Sequence, residues 1–273
     1  MPDDETNPMH TELDGALAQR DAIGRKTGNR DRCRCLGQRL DRPPRSVKFH
    51  KDCQDTEAAG WRHLLELIEE AADDQREEFK PLVELSAEER PQVVTLPPTI
   101  AKLTAVRHFV LYGSNVVRIP PEIGAMRSLE EFTPYTSYRL HWLPYEVTRC
   151  PNPRRSTVST RALYGNYKYR PPFPVLPSST ADGIGELDLA SLDCGKWGAT
   201  TIRSCSVCSQ PIHRADFQQV WISLRVATDV LPLLVNACSS ACIQALAQPP
   251  EDYVQAPHRG GSTVVQPAAD YLL

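Results

Sequence analysis

Cysteine pairs carry the clearest chemistry in this sequence: Cys205 and Cys208 in CSVC, then, thirty residues after Cys208, Cys238 and Cys242 in CSSAC. Four thiolates in two close pairs suit a tetrahedral zinc ion at about 2.3 Å per Zn–S bond. Such a site has no open position for water, so it is structural and not a Lewis acid. A redox CxxC opens a helix after a parallel strand, where the helix terminus lowers a thiol pKa. CSVCSQPIH has turn residues instead, and redox chemistry leaves the second pair without a purpose. His213, five residues past the knuckle, is an alternative ligand, although a lone histidine there is more often a surface residue. A second set, Cys33, Cys35, His50 and Cys53, precedes an acidic helix. Its C-x-C spacing is tighter than the usual knuckle, and the alternative is three ordinary thiols beside a basic loop. Cys194 belongs to neither set.

The elements between the C-terminal pairs follow from periodicity. Val220, Ile222, Leu224 and Val226 in VWISLRV alternate as a half-buried strand does, LPLLV is a second apolar run, and ACSSACIQALA is a short helix with capping serines. Knuckle, hairpin and helix-borne ligands in this order resemble a treble-clef zinc finger. The N-terminal set repeats the order with a short basic hairpin.

Residues 93–160 repeat. TLPPTIAKLTAVRHFVL, RIPPEIGAMRSLEEFTP and WLPYEVTRCPNPRRSTV align with Leu96, Ile119 and Leu143 in register, at intervals of 23 and 24 residues. Ile100, Ile123 and Val147 match, as do Leu103, Met126 and Cys150, then Val106 and Leu129, and Phe109 and Phe132. These copies resemble the leucine-rich repeat family in its LPxxIxxLxxL version. The third is degenerate, with Pro153, Ser156 and Val158 where larger apolar residues belong, and of the family's inward Asn ladder only Ser114, beside Asn115, has a counterpart. The resemblance implies an α/β fold, a short solenoid in which each unit buries its apolar edge only against its neighbours. It also implies that His108, Val110 and Tyr112, then Glu131, Thr133 and Tyr135, then Arg155, Thr157 and Ser159 point to a concave binding face. Cys150, at a Leu and Met position, is expected to be a buried small hydrophobe. A zinc module lies just beyond each end of the array, where it would cap the exposed apolar edge.

Around this plan, residues 1–30 read as a mobile polar leader and residues 31–90 as the N-terminal zinc-finger-like module plus helix. Leu64, Leu65, Ile68, Ala72 and Phe79 have helical spacing from Trp61, with Asp55 or Thr56 as cap and Pro81 as stop. The repeats occupy 91–163, an irregular Tyr/Pro-rich segment 164–200, the C-terminal finger 201–248 and a Pro/Gly-rich tail 249–273. YRPPFPVLP is expected to be an extended strap packed along the repeat surface.

The formal charge of −3 conceals opposed stretches: residues 20–53 hold eleven Lys and Arg against four Asp, whereas 61–90 hold four Lys and Arg against ten acids. No secretory signal or membrane-spanning run is legible, which with nine cysteines points to a reducing, cytoplasmic setting. No phosphate loop, GxSxG or HExxH occurs. Two functions remain. One is a non-catalytic adaptor that binds a protein on the concave face, where seven of nine tyrosines lie between Tyr112 and Tyr169. The other is nucleic-acid binding through Arg30, Arg32, Arg34, Arg39, Arg42, Arg45, Lys48 and Lys51. Neither reading calls for a small-molecule substrate.

Overall fold

Helix α1 (Ala59–Asp73) is the first regular element among the described residues and buries Trp61, Leu64, Leu67, Ile68 and Ala71. The buried stripe is rotated from the expected one, since Leu65 and Ala72 lie at its margin. The helix also ends earlier than its apolar spacing suggests. Gln75 adopts a left-handed φ of 55°, and Phe79 belongs to strand β1 (Glu78–Phe79). A tertiary contact overrides the local period there: the Phe79 ring packs on Phe109, which packs on Phe132, with centroids 5.6 Å apart in both pairs. Asp55 caps only the turn before the helix, through Glu57 N, and Pro81 begins the single-turn helix α2 (Pro81–Glu84).

The computed structural model describes residues 47, 49–50, 52–176, 204–212 and 217–268. Within them β1 is followed by β2 (His108–Val110), β3 (Glu131–Thr133), β4 (Leu143–Pro144) and β5 (Arg155–Ser156). Strands β1, β2, β3 and β5 form a parallel sheet in that order. Its register pairs His108 with Glu131 and Glu131 with Arg155, so the 23- and 24-residue intervals set the pairing. Each of the three units also contains a short 3-10 segment, at Pro98–Lys102, Pro121–Ala125 and Tyr145–Arg149. The prolines explain two of these starts, because a fixed φ suits the first helical position and needs no N–H there. Leu96, Ile119, Leu143 and the other register-matched apolar residues are buried in one continuous core. Successive segments approach so closely that a Cβ on Gly124 would lie 2.8 Å from Glu146 O.

Serines take the inward polar positions. Ser114 Oγ and Ser137 Oγ are 2.7 Å apart, and Ser159 Oγ accepts from Thr136 N at 2.8 Å. Ser137 Oγ also accepts from Ser114 N and donates to Leu111 O, so Ser137 and Ser159 satisfy backbone groups that the tight turns leave inside, as buried polar groups require.

Strands β6 (Gln218–Val226) and β7 (Asp229–Ala237) form an antiparallel hairpin, and β7 also pairs parallel with β4. The alternation in β6 does not mean that one face meets water. Val220, Ile222, Leu224 and Val226 enter the core of the repeated units, while Trp221 faces a second core with Trp142, Tyr164, Phe173 and Leu176. The extended 171–176 strap therefore packs on the hairpin, and the tail joins it. Trp221 and His258 exchange both backbone hydrogen bonds, Gly261 N donates to Phe173 O, and Leu176 N donates to Arg259 O. Gly260, at φ 73°, passes so close to Pro174 O that a Cβ would sit 2.0 Å from it.

Phe49, His50 and residues 52–54 lie along the flank of the units, held by the residue that precedes each repeated Leu or Ile. Gln54 Oε1 accepts from Val94 N and Thr95 N, Arg118 Nη2 donates to His50 O and Asp52 O, and Phe49 packs between Trp142 and Trp221. No helix among the described residues is long and apolar enough to cross a membrane.

Candidate metal centre

The first cysteine pair sits on a tight turn. Cys205 N donates to Gln210 O at 2.8 Å, Ser209 N donates to Cys205 O at 3.0 Å, and Ser209 takes a left-handed φ of 62°. Ser204 and Pro211 close the turn with an antiparallel bridge. The second pair comes from the opposite side. Cys238 follows β7 directly, and Cys242 lies in α3 (Ser240–Gln244), whose N-cap Ser239 accepts from Cys242 N through its hydroxyl. The turn is stitched to β7, because Ser206 N donates to Asn236 O at 2.7 Å and Asn236 N donates to Ser206 Oγ at 2.9 Å.

All four Sγ atoms lie within 4.8 Å of one another, with Cys208–Cys238 at 3.5 Å and Cys238–Cys242 at 3.6 Å. A tetrahedron with bonds of about 2.3 Å has sulfur–sulfur edges of roughly 3.8 Å. A disulfide needs about 2.05 Å, so the cluster has the dimensions of an ion site. Burial opposes ionisation of Cys205, but backbone N–H groups of Cys208, Cys238 and Val207 outweigh it and bring the thiol down to about 7. Side-chain hydrogen bonds to Cys208 and Cys242 push Cys238 the other way, up to about 12. One thiolate forms readily and its neighbour resists, and a cation among the sulfurs removes that resistance.

Of the other expected ligands, His50 and Cys53 are among the described residues. Cys33 and Cys35, with Cys194 and His213, lie outside the described residues. Cys53 is exposed, and His50 places Nδ1 3.2 Å from Asp52 Oδ2 while its ring lies on His141 with centroids 5.1 Å apart. Among the described residues, the four C-terminal cysteines are the one group able to hold an ion. The eight basic residues from Arg30 to Lys51 lie outside the described residues.

The sheet face away from the core carries His108, Val110, Glu131, Thr133 and Arg155, with Tyr112, Tyr135 and Thr157 just beyond the strands. Tyr112 and Tyr135 touch, with centroids 5.8 Å apart, and Tyr135 is 43 % exposed. Glu131 and Arg155 are 3.9 Å apart, and Arg107 bridges Glu77 and Glu130 beside them. Cys150 is buried and donates to Ile123 O, and desolvation raises its pKa to about 11, so it is a poor nucleophile.

Arg149 and the continuation of the serine ladder past Ser114 escaped the sequence reading. The ladder had a legible signal, since Ser114, Ser137 and Ser159 recur at 23 and 22 residues. Arg149, whose guanidinium reaches Cys205 O and Ser206 O, had none.

No family model, curated protein or solved structure matches the chain. What defines its class is a mixed α/β architecture with a parallel sheet and a four-cysteine cluster compatible with a metal.

Proposed function

We propose that this chain is a non-catalytic protein-binding adaptor: a short leucine-rich repeat array, closed at its C-terminal end by a zinc-bearing hairpin of treble-clef type. The observation that carries the reading is the 23-residue register, which lines up Tyr112 with Tyr135 and His108 with Glu131 on one side of the sheet. Paired aromatic rings beside polar side chains, on a face whose backbone is already ordered, give a partner protein anchor points at low entropic cost. Zinc is the metal that fits four thiolates in a closed tetrahedral site. Such a centre has no catalytic vacancy and belongs to the scaffold.

Two measurements test this. Metal analysis of the purified full chain should find zinc bound to the C-terminal cysteines, at one equivalent, or at two if Cys33, Cys35, His50 and Cys53 also form a site. A preparation reconstituted with zinc that retains none excludes the metal. For the face, Tyr112→Ala with Tyr135→Ala should weaken capture of a protein partner from native lysate by about tenfold, with thermal stability within about 1 kcal/mol of the parent, as expected for two hot-spot rings. Capture should survive nuclease. Unchanged capture by the double variant rejects the face as the binding surface, and loss on nuclease treatment moves function to the basic segment.

A further inference from the structure

We propose that Arg149 is a positioning residue of the four-cysteine centre, holding the knuckle in ligand geometry from the third repeat unit. The proposal rests on the zinc reading above. Arg149 closes the 3-10 segment Tyr145–Arg149, and its Nη2 donates to Cys205 O at 2.9 Å and to Ser206 O at 2.6 Å. Cys205 O belongs to the peptide that joins this ligand to Ser206, and Ser206 O to the peptide that follows. Fixing both fixes two consecutive peptide planes, and with them the direction in which Cys205, the one fully buried ligand, presents its sulfur. A tetrathiolate around a divalent cation carries two net negative charges, and Arg149 supplies a permanent positive charge against this turn.

Glu146 supports the knuckle from the same segment. It is almost fully buried and hydrogen-bonds Ser206, whose hydroxyl oxygen also accepts from Asn236 N, while Glu146 Oε2 has no partner. The repeat unit thus grips the knuckle at Cys205 and Ser206 together, while β7 grips it at Ser206 through Asn236. Hydrogen-bonding groups one layer out from a metal commonly change its affinity 10–100-fold when removed, because the ligands then lose their orientation.

The test uses the zinc-loaded full chain and its cobalt-substituted form. Zinc transfer to 4-(2-pyridylazo)resorcinol is followed in time, beside the visible spectrum of the cobalt protein. Arg149→Met, similar in length but uncharged, should release zinc about tenfold faster or more and shift the cobalt bands, whose energies report sulfur geometry. Arg149→Lys keeps the charge but loses the planar fork and should fall between the two. An Arg149→Met protein that melts earlier, yet releases zinc at the parental rate with an unchanged cobalt spectrum, would reduce Arg149 to a packing residue and overturn the proposal. If that variant does not fold, parental release by Arg149→Lys overturns it equally. A parent chain that binds neither zinc nor cobalt removes the metal reading itself, a failure seen before any variant is made.

Discussion

Removing metal under reducing conditions is expected to lower the melting temperature of the full chain by at least about 10 °C. The hairpin β6–β7 contributes eight side chains, from Val220 to Ala237, to the core of the repeated units, and its open end is fastened by the cysteine cluster. Structural zinc is worth about 10–16 kcal/mol in small peptides, against a total stability of about 5–15 kcal/mol for a typical domain. If core packing retains the hairpin in part, a loss of about 5 kcal/mol still corresponds to roughly 10–20 °C for a chain of this size. Cys238→Ser should reproduce the effect without chelator, since Cys238 neighbours both Cys208 and Cys242. Cys150→Ala, which alters a buried thiol of the repeat core, should leave metal content unchanged. Calorimetry of chelated and zinc-loaded protein decides the matter, and coincident transitions would show that the centre does not support the fold.

The second large effect is at Trp221, whose truncation to alanine is expected to cost about 3–5 kcal/mol. Its ring is fully buried and touches Phe49, Trp142, Tyr164 and Phe173, with centroids 5.6–5.9 Å away. Its Nε1 donates to Pro174 O at 2.9 Å, which joins the hairpin to the strap. Two contributions are therefore separable. Trp221→Phe keeps an aromatic body but leaves the Pro174 carbonyl without that donor, at about 1–3 kcal/mol. Trp221→Ala removes both and loosens four elements at once: the flank at Phe49, the third unit, the strap and the tail. Urea unfolding of both variants at matched zinc occupancy measures the difference. A cost below about 1 kcal/mol for Trp221→Ala would mean that the aromatic cluster is not a core, since cavities of that size do not close without loss.

Much of the architecture was legible because its signals are local or periodic. Leu96, Ile119 and Leu143 repeat with the units, so their burial, the strand register and the place of Cys150 follow from one alignment. The C-terminal cysteine cluster is equally readable, because each pair lies within one turn or one helix start. The helix boundary was not. Local spacing allows Phe79 to extend α1, and only the stack with Phe109 and Phe132 assigns it to a strand. The side of the hairpin that carries Trp221 was hidden for a related reason. An alternating strand reads as half exposed unless something covers its second face, and here residues 171–176 and 258–261 do.

By itself, then, the sequence determined the spacing of the units, the residues they bury and the two cysteine pairs, since these depend on intervals of a few residues or on one repeated interval. Tertiary structure alone decided which distant segments meet. Arg149 lies 56 residues from Cys205, Arg118 lies 68 from His50, and Pro174 lies 47 from Trp221. No period connects such partners. They meet because an unpaired carbonyl or an uncovered apolar face inside the fold is costly, and whichever segment can satisfy it is held there.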